Sequence, residues 1–343
     1  MKILLCTENH FPGYGGPYTA ISQTAQNLYK RGINFKLIFE RTDQYKYNLD
    51  YKKIFVDFDI LHFFGIWTPW SIKTFRIAKK LNKKVIISPL GALEPWALNQ
   101  KKFKKKAAWK IYQKRIINSA SYIHATSQEE KEHLIDLGIK VPIIILKHGI
   151  EIQKNIEKKK STVKKKALFF SRIHEKKGLL ELVKSWKEIN NQDWSLDIYG
   201  PVSDIEYLNL VRKTIQKLKL TSQVKIFKPV YDKLQKKKII TSSDCFILPS
   251  KSENFGLSIG EALAFGVPVF TTTATPWRNI NDYNAGVCFD FSESNLTKNL
   301  RYLFSLNSTE IEKMGQNGIR LIKENFDFDV VINDYIKFYK SIL

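Results

Sequence analysis

The chain has 343 residues, 43% of them apolar and 13% aromatic, which excludes a disordered polypeptide and allows two domains of ordinary size. Its 56 lysines and arginines against 33 acids give a net charge of +23, so the surface attracts polyanions: nucleic acid, acidic lipid or phosphorylated substrate. No apolar run reaches the roughly 18 residues of a spanning helix.

The start, MKILLCTENHF, has one basic residue and a short apolar run broken by Thr7 and Glu8. It reads as a buried first strand rather than a signal peptide, and with no export signal the expected location is the cytoplasm. A helix, AISQTAQNLYKRG, follows and ends at Gly32, the usual residue past a helix C-terminus. NFKLIFE, DILHFF, KVIISPL, SYIHAT and PIIILKHG are further strands, separated by lysine-rich helical stretches. Residues 1–150 carry 25 basic and 11 acidic residues, a net +14, against 31 and 22, or +9, in residues 151–343. Cys6, Cys245 and Cys288 sit in or beside apolar strands far apart in sequence, as buried small hydrophobes do.

Residues 151–166, EIQKNIEKKKSTVKKK, interrupt the pattern and read as a linker. The alternation then resumes through ALFFSR, GLLELVKSWKEI, SLDIYG, a long helix, VKIFK and DCFILPS to GLSIGEALAFG and PVFTTT. Two successive open α/β domains with parallel sheets are expected, 1–150 and 167–329, with ligands between them. The last helix, about 330–343, has apolar positions at helical spacing and must pack on a partner, the N-terminal domain being one candidate.

The most informative stretch is LPSKSENFGLSIGEALAFGVPV, from Leu248 to Val269. A strand ends, a polar loop holds Glu253, and a helix begins near Gly256 and Leu257. Free amides and the positive end of the helix dipole there suit a diphosphate. Glu261, a turn deeper, can accept hydrogen bonds from vicinal hydroxyls such as those of a ribose. Two incidental glutamates on an ordinary strand–loop–helix would look the same.

The frame S-E-N-F-G-L-x-x-x-E-A-L-A-x-G-x-P-V, with E-x7-E from Glu253 to Glu261, resembles the retaining GT-B glycosyltransferases of glycosyl transferase group 1. SRIHEKKGLLELVKSW resembles that family's phosphate-binding segment and TENHFPGYGGPYTAIS its N-terminal glycine loop. The stretch from Ser88, SPLGALEPW to SYIHATSQEE, resembles a bacterial surface-polysaccharide subgroup.

The resemblance implies two Rossmann-like domains, an acceptor domain and a donor domain, facing across a deep cleft. It implies that Arg172 and Lys177 neutralise the donor diphosphate and that Glu253 holds the transferred sugar. Gly15 and Gly16, with Asn254, Phe255, Gly256 and Leu257, would meet the donor, Glu261 its ribose and the Val230 backbone its base. Many relatives carry a pocket histidine where Leu90 stands here. Leu90 and Gly91, with Glu94, Trp96 or His124, are the candidates for the sugar pocket; His62 is a further one, and both histidines also suit a core strand.

The implied reaction is transfer with retention from a nucleotide-diphosphate sugar, UDP favoured over GDP by family frequency, to a glycan or lipid-linked acceptor. Lipopolysaccharide, O-antigen, capsule or exopolysaccharide would be the product. No metal or other cofactor is expected; the D-F-D strings at Asp57–Asp59 and Asp327–Asp329 read as structural. A nucleotide-sugar 2-epimerase or phosphorylase on the same fold is the rival, and a polyanion or nucleic-acid binder the non-enzyme rival. No nucleic-acid recognition module is present to favour the latter. Between Lys101 and Arg115 lie eight basic residues and no acid. As one helix, this stretch lines up Lys102, Lys106, Lys110 and Lys114, which suits an acidic inner-membrane surface met at the headgroups, or a solvated face.

Overall fold

A computed structural model describes residues 1–7, 16–40, 50–100, 102–152, 164–189 and 191–343. The chain divides into two units, Met1–Gly149 with Phe328–Leu343, and Ile150–Asp327. Each is built on a six-stranded, wholly parallel sheet flanked by helices.

In the first unit the strands are β1 (Lys2–Thr7), β2 (Asn34–Phe39), β3 (Ile60–Phe64), β4 (Lys84–Ser88), β5 (Tyr122–Ala125) and β6 (Ile143–Ile145). They lie in the order β2-β1-β3-β4-β5-β6. Successive side chains point to opposite faces: Ile3, Leu5, Ile60 and Phe64 enter one core, Leu4, Cys6, Leu61 and Phe63 another. Burial on both faces explains why these strands read as continuous apolar runs. The C-terminal helix Phe328–Ser341 covers the Ile3 and Leu5 face with Val331, Ile332, Tyr335 and Tyr339. Arg31 ties its first turn down through Asp329 at 2.7 Å.

The second unit holds β7 (Lys165–Phe170), β8 (Trp194–Tyr199), β9 (Val224–Ile226), β10 (Cys245–Leu248), β11 (Val269–Thr272) and β12 (Gly286–Phe289). Their order is β12-β11-β10-β7-β8-β9. The direction of winding reverses between β7 and β10, which pair directly. Connections leave these two strands toward opposite sides, opening a crevice at their carboxyl ends where open α/β sheets bind ligands.

The three cysteines are buried free thiols. Three aspartates of the D-F-D strings have structural places. Asp59 accepts from the Lys2 amide at 2.7 Å, Asp57 closes the short helix Tyr51–Val56, and Asp329 holds Arg31. One expectation is corrected. The stretch beginning at Lys102 is not one regular α-helix: a π-helical segment, Trp109–Gln113, separates Lys102–Ala108 from Lys114–Ile117. The wider turn accompanies the burial of Gln113 and Ile117 against the core, and Lys114 leaves the row to lie beside Gly138.

Candidate functional site

The chain leaves β7 through Ser171–Gly178 into the helix Leu179–Ile189, and leaves β10 through Pro249–Gly256 into the helix Leu257–Ala264. Backbone hydrogen bonding joins the two connections, the Lys251 amide donating to the Lys176 carbonyl at 2.8 Å. The Ser250 hydroxyl donates to the same carbonyl at 3.2 Å. Gly178 sits in the left-handed region at φ +67°, so close to Pro249 that a Cβ would come 2.1 Å from the Pro249 carbonyl oxygen. Only glycine lets the loops approach this far.

A single 3-10 turn, Glu175–Lys177, is capped by His174, whose Nδ1 accepts from the Lys176 amide at 3.1 Å. The turn directs Lys177 inward, where its ammonium donates to Glu253 Oε1; both side chains are about nine-tenths buried. Burial pushes the Glu253 carboxyl up, but Lys177, aided by Lys176 and Ser250, outweighs it and holds the group below its usual range. Glu253 is therefore a carboxylate at neutral pH, fixed by its own amide donating to the Ala274 carbonyl at 2.9 Å. Arg172 is exposed beside the fully buried Ile173. Burial, then the Arg172 charge, lower the pKa of His174.

Beyond Glu253, Asn254 Oδ1 is buried without a hydrogen-bond partner among the described residues. Phe255 is a core residue whose carbonyl accepts from the Trp277 indole. Gly256 adopts φ +78° and starts the helix Leu257–Ala264, whose N-terminus no side chain among the described residues caps. Its leading amides therefore keep their capacity to bind an anion. Glu261, one turn in, accepts from the ammonium of Lys236, which comes from the helix Lys233–Thr241. Lys236 also lies over the Phe170 ring, 5.3 Å from its centroid. Phe170, Tyr199 and Phe227, at the ends of β7, β8 and β9, form a ladder of near-parallel rings with centroids 5.9 and 4.6 Å apart. Val230 is half-buried against this unit's core.

Among the described residues, then, one edge of the second sheet gathers Arg172, Lys177, Glu253, Asn254, Phe255, Gly256, Leu257 and Glu261. Gly15 lies outside the described residues, and Gly16 is the first residue of the helix Gly16–Lys30. In the first unit the sugar-pocket candidates follow β4. Leu90 and Gly91 both have positive φ, at 52° and 74°, and the Gly91 amide donates to Glu130 Oε1 at 2.9 Å. Burial raises the pKa of Glu130, although hydrogen bonds from Thr126 and Gly91 oppose it. Glu94 is buried with its carboxylate 2.7 Å from His133 Nδ1, and Trp96 is half-buried in the short helix Pro95–Asn99.

His124 belongs to the core rather than to a pocket. It is wholly buried, its Nδ1 2.5 Å from the Ser88 hydroxyl and its Nε2 2.8 Å from the Leu146 carbonyl oxygen. His62 is equally buried, between Ser88 and Tyr339. Lys236, Trp277, Glu130 and His133 carry no signal in the sequence that sets them apart. Lys236 is one of three consecutive lysines, and nothing in its spacing distinguishes it; Glu130 follows Ser127 as an ordinary helix-cap partner does.

Comparison with known proteins identifies the architecture. The model for "Glycosyl transferases group 1" matches residues 151–321, and that for "Glycosyltransferase Family 4" matches residues 23–154. An uncharacterized 41.2 kDa protein in the cps region of Klebsiella pneumoniae is 24% identical, over 96% of this chain and 88% of its own. Sucrose-phosphate synthase from Thermosynechococcus elongatus is structurally similar, with a TM-score of 0.80 at 14% identity, over 99% of this chain and 98% of that one. HepE of Anabaena, solved with UDP and glucose, gives 0.78 at 16% identity over 99% and 100% of the two chains. Each unit thus matches a glycosyltransferase family model over most of its length, and the fold is the GT-B architecture of these solved structures.

Proposed function

We propose that the protein transfers a sugar, with retention of anomeric configuration, from a nucleoside diphosphate sugar to a glycan or lipid-linked acceptor of an envelope polysaccharide. The observation that carries this reading is the convergence, at the reversal of strand order, of an uncapped helix N-terminus, a buried lysine and two carboxylates. Helix dipole and lysine suit a diphosphate; carboxylates held in place by lysines suit hydroxyls. HepE, of the same architecture, is solved with UDP and glucose, which favours a uridine donor.

In this reading the diphosphate lies against the amides at Gly256 and Leu257. Arg172 and Lys177 stabilise the charge that grows on the leaving phosphate, and no divalent ion is required for that task. Glu253 accepts from hydroxyls of the transferred sugar and Glu261 from the ribose. Neither glutamate is free to act as a covalent nucleophile, since both are engaged by lysines. The leaving phosphate itself takes the acceptor proton on the face from which it departs. Asn254 Oδ1 gains a donor from bound sugar or water, as a buried oxygen requires. Val230 flanks the base; in the first unit, Leu90, Gly91, Glu94 and Trp96 shape a sugar pocket. The stretch 101–115 meets an acidic membrane face carrying the acceptor.

Incubation with UDP-sugars and a lipid-linked glycan, followed by NMR of the anomeric proton, tests this. Acceptor-dependent product with the donor's configuration is expected. Release of an epimerised nucleotide sugar without any acceptor would instead establish an epimerase.

A further inference from the structure

We propose that Phe103 and Ile111 are a pair of apolar anchors by which the first unit inserts into the interface of an acidic bilayer. The proposal rests on the membrane reading of residues 101–115 and adds burial in the bilayer to attraction at its surface. Phe103 is 88% exposed and Ile111 76%, and both stand within the lysine-rich stretch. Singly exposed apolar side chains are ordinary, as Leu234 at 70% shows; what distinguishes these two is that they share one element and one side of it, amid lysines.

Helix geometry places them together. On a regular α-helix, residues eight apart sit about 80° out of line at about 100° per residue. The π-helical Trp109–Gln113 turns less per residue, so it swings Ile111 back toward the side of Phe103. Ala107, also exposed, lies between them. The opposite side is anchored: Gln113 and Ile117 are buried, and Lys105 donates to the Ala97 carbonyl at 2.6 Å. The stretch is thus held to the unit in an orientation that keeps Phe103 and Ile111 outward.

The surroundings select the occupant. Lys102, Lys104, Lys106, Lys110 and Arg115 are exposed around the pair, and the four lysines make no ion pair among the described residues. A protein partner of matching apolar character would leave these cations over its own surface, whereas an anionic bilayer supplies phosphate to the lysines and acyl chains to the anchors together. No helix among the described residues is long and apolar enough to cross a membrane, so attachment through this element lies in the interface plane.

The test is flotation of the full chain with phosphatidylcholine vesicles, with and without phosphatidylglycerol. Compared are the wild type, the double variant Phe103→Ser and Ile111→Ser, and the variant with Lys102, Lys104, Lys106 and Lys110 changed to Gln. Every substitution is on the surface, and circular dichroism melting checks that folding is unchanged. A fluorescent label on Ala107→Cys reports depth, the native cysteines being buried.

Wild type should bind only the anionic vesicles, with a blue-shifted label quenched by brominated acyl chains. The serine variant should partition about tenfold less, and the glutamine variant should bind weakly. Serine-variant binding equal to wild type, with the label in water, would overturn insertion while leaving headgroup adsorption. No wild-type binding to anionic vesicles would overturn the membrane reading as well. Nucleotide binding, measured without vesicles, is unaffected by either failure.

Discussion

Lys177 and Glu253 form a direct ion pair in which both side chains are about nine-tenths buried, one delivered by the connection after β7 and the other by the connection after β10. Each charge is tolerable there because of the other. Removing the ammonium alone, as in Lys177→Met, should cost about 3–5 kcal/mol by stranding a buried carboxylate. The double variant Lys177→Met with Glu253→Gln should recover most of that stability in denaturant titration and still lack transferase activity. If Lys177→Met melts like wild type, the carboxylate is better solvated than its burial indicates. If the double variant is active, Lys177 does not serve the leaving phosphate.

Much of this architecture is legible in the residues. Runs such as ILLC and CFIL announce strands buried on both faces, and Gly256 at φ +78° shows why the loop before the helix needs glycine. Glu253 and Glu261 sit on a legible strand–loop–helix, but it is the resemblance to the E-x7-E frame that singles them out. What spacing hides is pairing across sequence: Lys236 reaches Glu261 from a separate helix, 25 residues away. His124 misleads for a related reason, because a histidine in an apolar strand reads the same whether it faces a pocket or a core. The π-helical segment also escapes a reading based on 3.6-residue periodicity, and with it the fourth lysine of the row.

The buried histidines of the first unit predict acid sensitivity. Burial lowers the His124 pKa from 6.5 to about 4 and the His148 pKa to about 3; His62 is lowered by burial and by His124. Such groups stay neutral in the native protein and charge first in the unfolded chain. Stability is therefore complete above about pH 6.5 and is lost as the pH falls toward 4, by about 3 kcal/mol for His124 alone. Glu130, whose carboxyl burial pushes up, acts in the opposite direction. Urea unfolding between pH 7.5 and 5, where ordinary carboxylates contribute little, should show constant stability down to about pH 6.5 and a fall below it. A flat profile would mean that the rings are hydrated.

Arg172, Lys177 and the amides at Gly256 together supply cationic character at one edge of the second sheet, which leads to a prediction about metal. Transfer should proceed at an unchanged rate after chelator treatment, and added magnesium should not raise turnover more than about twofold, since the leaving-group charge is already met by protein groups. Initial rates before and after dialysis against chelator decide this. Activity abolished by chelator and restored by manganese would require a metal-binding group that the present assignment lacks.

In the proposed function, the edge of the second sheet formed by residues 171–178 and 250–261 binds a nucleoside diphosphate through Glu261. Calorimetric titration of UDP into wild type and into Glu261→Ala, each verified as folded by circular dichroism, tests it most directly. Saturable binding by wild type is expected, with a loss of about 1–3 kcal/mol in the variant, from hydrogen bonds between ribose hydroxyls and a charged acceptor. Equal affinity in the two proteins, or no heat of binding with any nucleoside diphosphate, would contradict it.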